Sequence, residues 1–264
     1  MPKKRKPHPL FEHSIIVPIL KVSFPITLRR RKLPAGAVLL VTAAEDQLLK
    51  TNSALMRLMA HTAKLDHAIH FLKQAGRTKQ SGSASLQMLG PSAWVEYHLG
   101  YFYALHRSTY DSAMWFTSES LNMSLPKNMG FDKKFYANIA KTEALLQVFK
   151  KLKLLCAAFV EPRNDHLHRG QYVRSGPVVG GDVLDQLLVA DNSLNLLKRQ
   201  DAPKYDAAAH KEIREMLKGQ RLVLIAFLEE EVRKIHALLV NLIDILEPAL
   251  RAQMKNAEEN KMPA

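Results

Sequence analysis

Cysteine is almost absent: Cys156 is the one cysteine in 264 residues, so no disulfide can form within the chain. Its setting, Leu154-Leu155-Cys156-Ala157-Ala158-Phe159, is that of a small buried hydrophobe. A fold without disulfides suits a reducing compartment, and the expected location is the cytoplasm. Long apolar runs are missing as well. None reaches the roughly 20 residues of a bilayer-spanning helix, and Ile15–Leu20 is too short, and too broken by Pro18, for a signal-peptide core. No membrane partner is expected. With 11 glycines and 13 prolines the chain is no low-complexity polymer. The glycines Gly176, Gly180 and Gly181 lack the G-x-x-x-x-G-K-[ST] spacing of a phosphate loop, and no G-x-G-x-x-G fingerprint occurs, so nucleotide hydrolysis and dinucleotide binding gain no support. Acidic residues are also short: 25 Asp and Glu face 38 Lys and Arg, a net charge of +13. That surplus favours a polyanionic partner, attracted through its phosphates without choice of sequence. A positive surface that only keeps the protein in solution is the bland alternative.

What is present reads as helix. Residues 1–9 form a basic, proline-punctuated tail. Its Lys3-Lys4-Arg5-Lys6 has the form of a nuclear-import signal, should the cell have a nucleus, and equally of a phosphate-binding arm. From Ile15 to Leu28 the β-branched, proline-interrupted text predicts one or two extended or edge strands, followed by the basic cluster Arg29-Arg30-Arg31-Lys32. A first long helix is expected from about Ala44 to Gln74, on the stripes Leu48/Leu55/Met59/Thr62/Ile69 and Leu58/Leu65/Leu72. His67 and His70, one turn apart beside Asp66, fall short of a metal site. After a polar Ser/Gly-rich loop, Pro91 suits the first turn of a second helix. Its aromatic residues, among them Tyr97, Tyr101, Tyr103, Tyr110 and Trp115, read as packed core rather than as a base-stacking surface. A third helix is expected over roughly Asp132–Val160, a fourth over Val183–Lys198, and a last from about Asp206 to Leu246, ended by Pro248. The tail beyond is expected to be disordered.

Between the third of these and the glycine-rich loop stands Glu161-Pro162-Arg163-Asn164-Asp165-His166-Leu167-His168-Arg169-Gly170. Pro162 disfavours helix at Glu161 and suits a helix start, so the stretch belongs at a helix N-terminus, where free N–H groups and the dipole attract phosphate. Histidine transfers protons near neutrality, and arginine offers a permanently charged donor fork to phosphate oxygens. On a helix Asn164 and His168 share a face, whereas His166 and His168 lie about 200° apart and grip one metal poorly. This disfavours a metal hydrolase built on Asp165, His166 and His168. At this composition an Arg-Asn-x-x-x-His string is expected about 0.02 times by chance.

Arg163-Asn164-x-x-x-His168 resembles the R-x4–6-H signature of the HEPN superfamily, many members of which are metal-independent ribonucleases acting as toxins or defence effectors. The resemblance implies an all-α helical bundle, and cleavage of RNA by its own 2′-hydroxyl. His168 would act as acid or base, Arg163 would stabilise the phosphorane, and Asn164 would position. His166, Asp165 and Glu161 rank second. It also implies a homodimer with a composite cleft, RNA as partner and an antitoxin or other protein as a further one, and neither cofactor nor metal. Lys3, Lys4, Arg5, Lys6, Arg29, Arg30, Arg31 and Arg169 are the expected RNA-binding cations. The expected layout is a basic tail and extended appendage (1–43), a helical HEPN-like domain with a long C-terminal helix (44–250) and a disordered tail (251–264). A non-catalytic HEPN-like module that binds RNA, nucleotide or protein is the second reading, and a structural scaffold the third.

Overall fold

The computed structural model describes residues 8–31, 40–74, 91–123, 125, 131–160, 164 and 207–261. The described residues are all-helical, with no strand among them: a single 3₁₀ turn, Pro9–Glu12, then α1 (Ile16–Arg31), α2 (Ala43–Gln74), α3 (Pro91–Ser120), α4 (Phe131–Ile139), α5 (Glu143–Ala157) and α6 (Ala207–Glu259). They fold as two compact units. One draws on residues 1–63, 108–153 and 235–264, the other on 64–107 and 154–234, so α2, α3, α5 and α6 each serve both. The expected helix Val183–Lys198 and the loops at 77–90 and 171–181 lie outside the described residues.

The first correction is α1. The stretch expected as strands and as an appendage is a helix inside the core of the first unit. Ile15, Ile16, Ile19, Ser23 and Ile26 are buried, a spacing of three and four residues that only a helix brings to one side. Burying an isoleucine contributes on the order of 1.5–3 kcal/mol, and four of them outweigh the roughly 3 kcal/mol that one interior proline costs. That proline, Pro25, sits on the exposed side. Two residues on, the Thr27 hydroxyl donates to the Ser23 carbonyl at 3.1 Å. Pro18 falls in the first turn, where its missing N–H would have had no partner.

The expected helix over 132–160 is two. Thr142, which the apolar stripe absorbs in the sequence, is exposed, and its carbonyl accepts the first bond of α5 from Leu146 N–H at 3.0 Å. It is an N-cap followed by Glu143 in the first turn. The last helix does not stop at Pro248 but runs to Glu259, with that proline exposed and the burial stripe carried on by Leu250 and Ala257. Residues 251–259, expected to be disordered, are therefore helical.

Two helix ends in the first unit are held by side chains. At the start of α2, Glu45 N–H donates to Thr42 Oγ1 at 3.2 Å and Thr42 N–H to Glu45 Oε2 at 3.1 Å, a reciprocal capping box. At the end of α3, Met123 N–H reaches the Ser118 carbonyl at 2.9 Å and Asn122 N–H the Glu119 carbonyl at 3.2 Å, with Asn122 at φ 50°. This is a Schellman stop with asparagine in the left-handed position. The side-chain amides of Gln47 and Gln253 and the Thr51 hydroxyl also donate to the Glu119 carbonyl, at 2.7, 3.0 and 3.1 Å, so α2 and α6 both clamp the end of α3.

The second unit has an aromatic centre. Phe102, Tyr103, His106 and Phe159 are buried together, with Phe159 stacked on Tyr103 at 5.1 Å and tilted against His106 at 4.5 Å. Cys156 is buried beside them, its Sγ 3.4 Å from the His106 carbonyl, as its apolar setting in the sequence leads one to expect.

Candidate functional site

Of the central stretch, Asn164 is described: it is helical and half-buried. Arg163, His168, Asp165, His166, Glu161 and Arg169 lie outside the described residues, as do Lys3, Lys4, Arg5 and Lys6. Arg30 and Arg31 belong to the last turn of α1. Arg29 is half-buried, and its guanidinium donates to Glu45 Oε1 at 2.5 Å while Glu45 is only 1% exposed. A buried carboxylate needs such a partner, so Arg29 locks α1 to the capping box of α2.

The second unit carries a surface that includes two tyrosines, Tyr97 and Tyr101, which the sequence reading places in the core. On α2, Lys64, His67 and Phe71 are exposed and fall within about 60° of one another around the helix. On α3, Trp94, Tyr97, His98 and Tyr101 share one face by the same geometry. Trp94 Nε1 donates to the Phe71 carbonyl at 2.9 Å. The His98 ring stacks on Phe71 at 4.9 Å with 17° between planes, and meets Trp94 at 4.5 Å and Tyr97 edge-on at 5.2 Å. Burial holds the His98 imidazole below its ordinary pKa, which keeps it neutral. Of the rings against it, Tyr97 is 67% and Phe71 43% exposed, and Tyr101, one turn on from Tyr97, is 39% exposed. The nearest carboxylates in sequence, Asp66 and Glu96, are half-buried and lie about 200° around their helices from Lys64 and Trp94. The face therefore carries rings and the Lys64 cation, with Asp66 at its edge beside His67.

Two other groupings invite a chemical reading. In the first unit, His13, Asp244 and Glu247 have ligand-type atoms within 4.8 Å of one another. His13 Nδ1 accepts from Ile15 N–H at 3.3 Å, and Nε2 lies 2.9 Å from Asp244 Oδ1. The neutral ring then carries its proton on Nε2 and donates it to the carboxylate. Metal ligation through Nε2 would require giving up that proton while Nδ1 stays an acceptor. Glu247 Oε1 is meanwhile engaged by Arg251 at 2.5 Å. The trio is a structural tie between α6 and the turn before α1. The second grouping is His106 itself, 0% exposed, with both ring nitrogens buried and without hydrogen-bond partners among the described residues. Desolvation lowers its pKa to about 3, so it is a neutral ring at physiological pH.

No helix among the described residues is long and apolar enough to cross a membrane. Comparison of the chain with family models, with curated proteins and with solved structures finds no match.

Proposed function

We propose that this chain is a metal-independent endoribonuclease of the HEPN type, acting as a toxin or defence effector. The observation that carries the reading is the Arg163-Asn164-x-x-x-His168 string in a chain whose described residues are all-helical. Asn164 itself lies in a helix, and a helix continued from there would bring His168 one turn further along the same face. The net charge of +13 suits a phosphate polymer as substrate.

In the reaction, the ribose 2′-hydroxyl attacks the adjacent phosphorus, and the O2′–P bond forms as the P–O5′ bond breaks. A base takes the 2′ proton and an acid returns one to O5′. Arg163 stabilises charge on the equatorial oxygens, and His168 serves as one of the two proton carriers. A homodimer supplies the second copy of the motif, so that two His168 side chains share the acid and base roles across a composite cleft. The products are a 2′,3′-cyclic phosphate and a 5′-hydroxyl.

The test is incubation of the purified protein with mixed RNA in EDTA, followed by end-group analysis. Wild type should leave cyclic phosphate ends, and His168→Ala and Arg163→Ala should each lower the rate by roughly 10²–10⁴-fold while RNA affinity changes little. Cleavage that EDTA abolishes would sink the metal-independent scheme. RNA binding with no cleavage, unchanged in both variants, would leave the non-catalytic module in its place.

A further inference from the structure

A folded domain hides most large rings, and the aromatic residues of α3 divide sharply in this respect. Tyr103 and Tyr110 are 0% exposed, yet Tyr97 is 67% and Tyr101 39% exposed, with Phe71 of α2 at 43% beside them. The ring beneath them, His98, is a firm floor: 7% exposed and stacked on Phe71. Phe71 and Tyr97 are thus held against a buried ring, a pre-formed surface that loses little freedom when something stacks on it, and Tyr101 follows one turn on from Tyr97 along α3.

What such a surface fits follows from its chemistry. Exposed rings at a helical spacing of four residues stand about 6 Å apart along the helix axis. That is nearly twice the roughly 3.4 Å rise of a stacked strand, so neighbouring rings each take a separate base rather than slotting into a continuous stack. The paired bases of a duplex present edges, not faces, to a protein, and the deep major groove of A-form RNA does not admit side chains. Unpaired bases do present faces, whatever their identity. His67 and then Lys64 continue the exposed line of α2 away from Phe71, so that the Lys64 ammonium can meet the phosphates of the same strand while His67 offers a hydrogen-bonding ring. A second copy of this chain is a poor occupant of this face, because its few rings fall short of the roughly 800 Å² per partner of a stable interface.

We propose that Phe71, Trp94, Tyr97 and Tyr101, with Lys64 and His67, form a stacking surface for the bases of single-stranded RNA. The inference rests on the reading of RNA as this protein's substrate and narrows it from RNA at large to unpaired segments. The surface acts on substrate capture and strand choice, separately from the chemistry assigned to Arg163 and His168.

The experiment measures affinity of the full chain for a fluorescein-labelled 20-nucleotide oligouridine and for a 20-base-pair RNA duplex, at one salt concentration. EDTA is present and the His168→Ala background prevents turnover. Wild-type surface should prefer the single strand. Tyr97→Ala and Tyr101→Ala should each weaken oligouridine binding by about 10-fold or more, and the preference over duplex should collapse. Tyr97→Phe, which keeps the ring, should restore it, and circular dichroism melting of each variant guards against a folding artefact. Tryptophan fluorescence from Trp94 should be quenched by oligouridine and not by duplex. Unchanged oligouridine affinity in Tyr97→Ala/Tyr101→Ala overturns the proposal even if wild type proves to be a ribonuclease. The expected pattern in a protein that cleaves nothing would support the surface while the catalytic reading fails. Self-association that the two alanines abolish, with RNA affinity unaltered, would show a protein contact and overturn it too.

Discussion

Replacing His106 with methionine should make this protein more stable and less sensitive to acid. The imidazole is fully buried among Phe102, Phe159 and the Cys156 side of α5, with both ring nitrogens lacking partners among the described residues. A buried donor or acceptor left unsatisfied costs about 1–3 kcal/mol, and the neutral ring has one of each. Methionine has similar volume and flexible packing, and a volume-conserving swap usually costs less than about 1.5 kcal/mol. The net gain at pH 7.5 should be about 1–3 kcal/mol. The pH term follows from linkage. Burial lowers the His106 pKa from 6.5 to about 3, so the folded ring stays neutral while the unfolded chain takes up a proton below its ordinary value. Stability from this group is complete above pH 6.5 and is lost as pH falls from there toward 3, at about 1.4 kcal/mol per pH unit.

Other groups shape the total. His236, lowered to about 4 by burial and by the nearby His8, acts in the same direction, as do His8 and His98. Asp66, raised to about 6 by burial, works in the opposite sense: its stability is present at low pH and lost as pH rises from 3.8 to about 6. Their sum sets the wild-type slope, but they cancel in the difference between wild type and His106→Met. Urea unfolding followed by circular dichroism at pH 7.5, 6.0 and 5.0 should show a higher midpoint for the variant at every pH, with a gap that widens by about 1.4 kcal/mol per unit below pH 6.5. A variant destabilised at pH 7.5, with a gap that does not change with pH, would refute the reasoning, because it would mean the ring has a partner worth keeping.

Two further substitutions test how the first unit is held. Arg29→Ala should cost about 3 kcal/mol, since it strands a Glu45 carboxylate that is 1% exposed. If Arg29 were chiefly an RNA contact, the thermal midpoint would hold and RNA affinity would fall instead. Asn122→Ala should cost about 1 kcal/mol because the Schellman position requires φ near 50°, whereas Asn122→Gly should be close to neutral; equal urea midpoints for the two variants would count against the strained turn.

The helices with one clean stripe are legible from the sequence, and those with conflicting signals are not. In α2 every residue of the two expected stripes is buried, from Leu48 to Leu72. In α1, β-branched residues and two prolines argue locally for extended chain, yet Ile16, Ile19 and Ile26 pack on one side and tertiary burial overrides the local preference. Thr42-Ala43-Ala44-Glu45 is a readable capping box, and Thr142-Glu143 a readable helix start. Both are easily passed over, because the eye follows apolar residues and the boundary signals are polar. Pro248 misleads in the other direction, since a proline on the exposed side of a long helix removes one backbone bond without ending a stripe that continues to Ala257. At the site, motif chemistry points to Arg163 and His168 and says nothing about a surface made of rings.

That surface is nonetheless written in the phase of α3. With Tyr97 taken as zero and about 100° of turn per residue, Tyr101 falls at about 40°, Tyr103 at about 240° and Tyr110 at about 220°. Val95, Leu99, Phe102 and His106 fall between about 140° and about 200° on the same count, and all four are buried. The tyrosines thus form two pairs on opposite sides of one helix: one pair in phase with the buried stripe, the other out of phase with it. Composition alone treats all four as core, because aromatic density at helical spacing usually means packing. Phase separates them, since a ring opposite the buried stripe has no core to enter unless another element covers it. Tyr97, at 67% exposure, is not covered. An aromatic pair out of phase with its own helix's core, rather than aromatic density as such, is the sequence signal that distinguishes a surface for stacking from a packed interior.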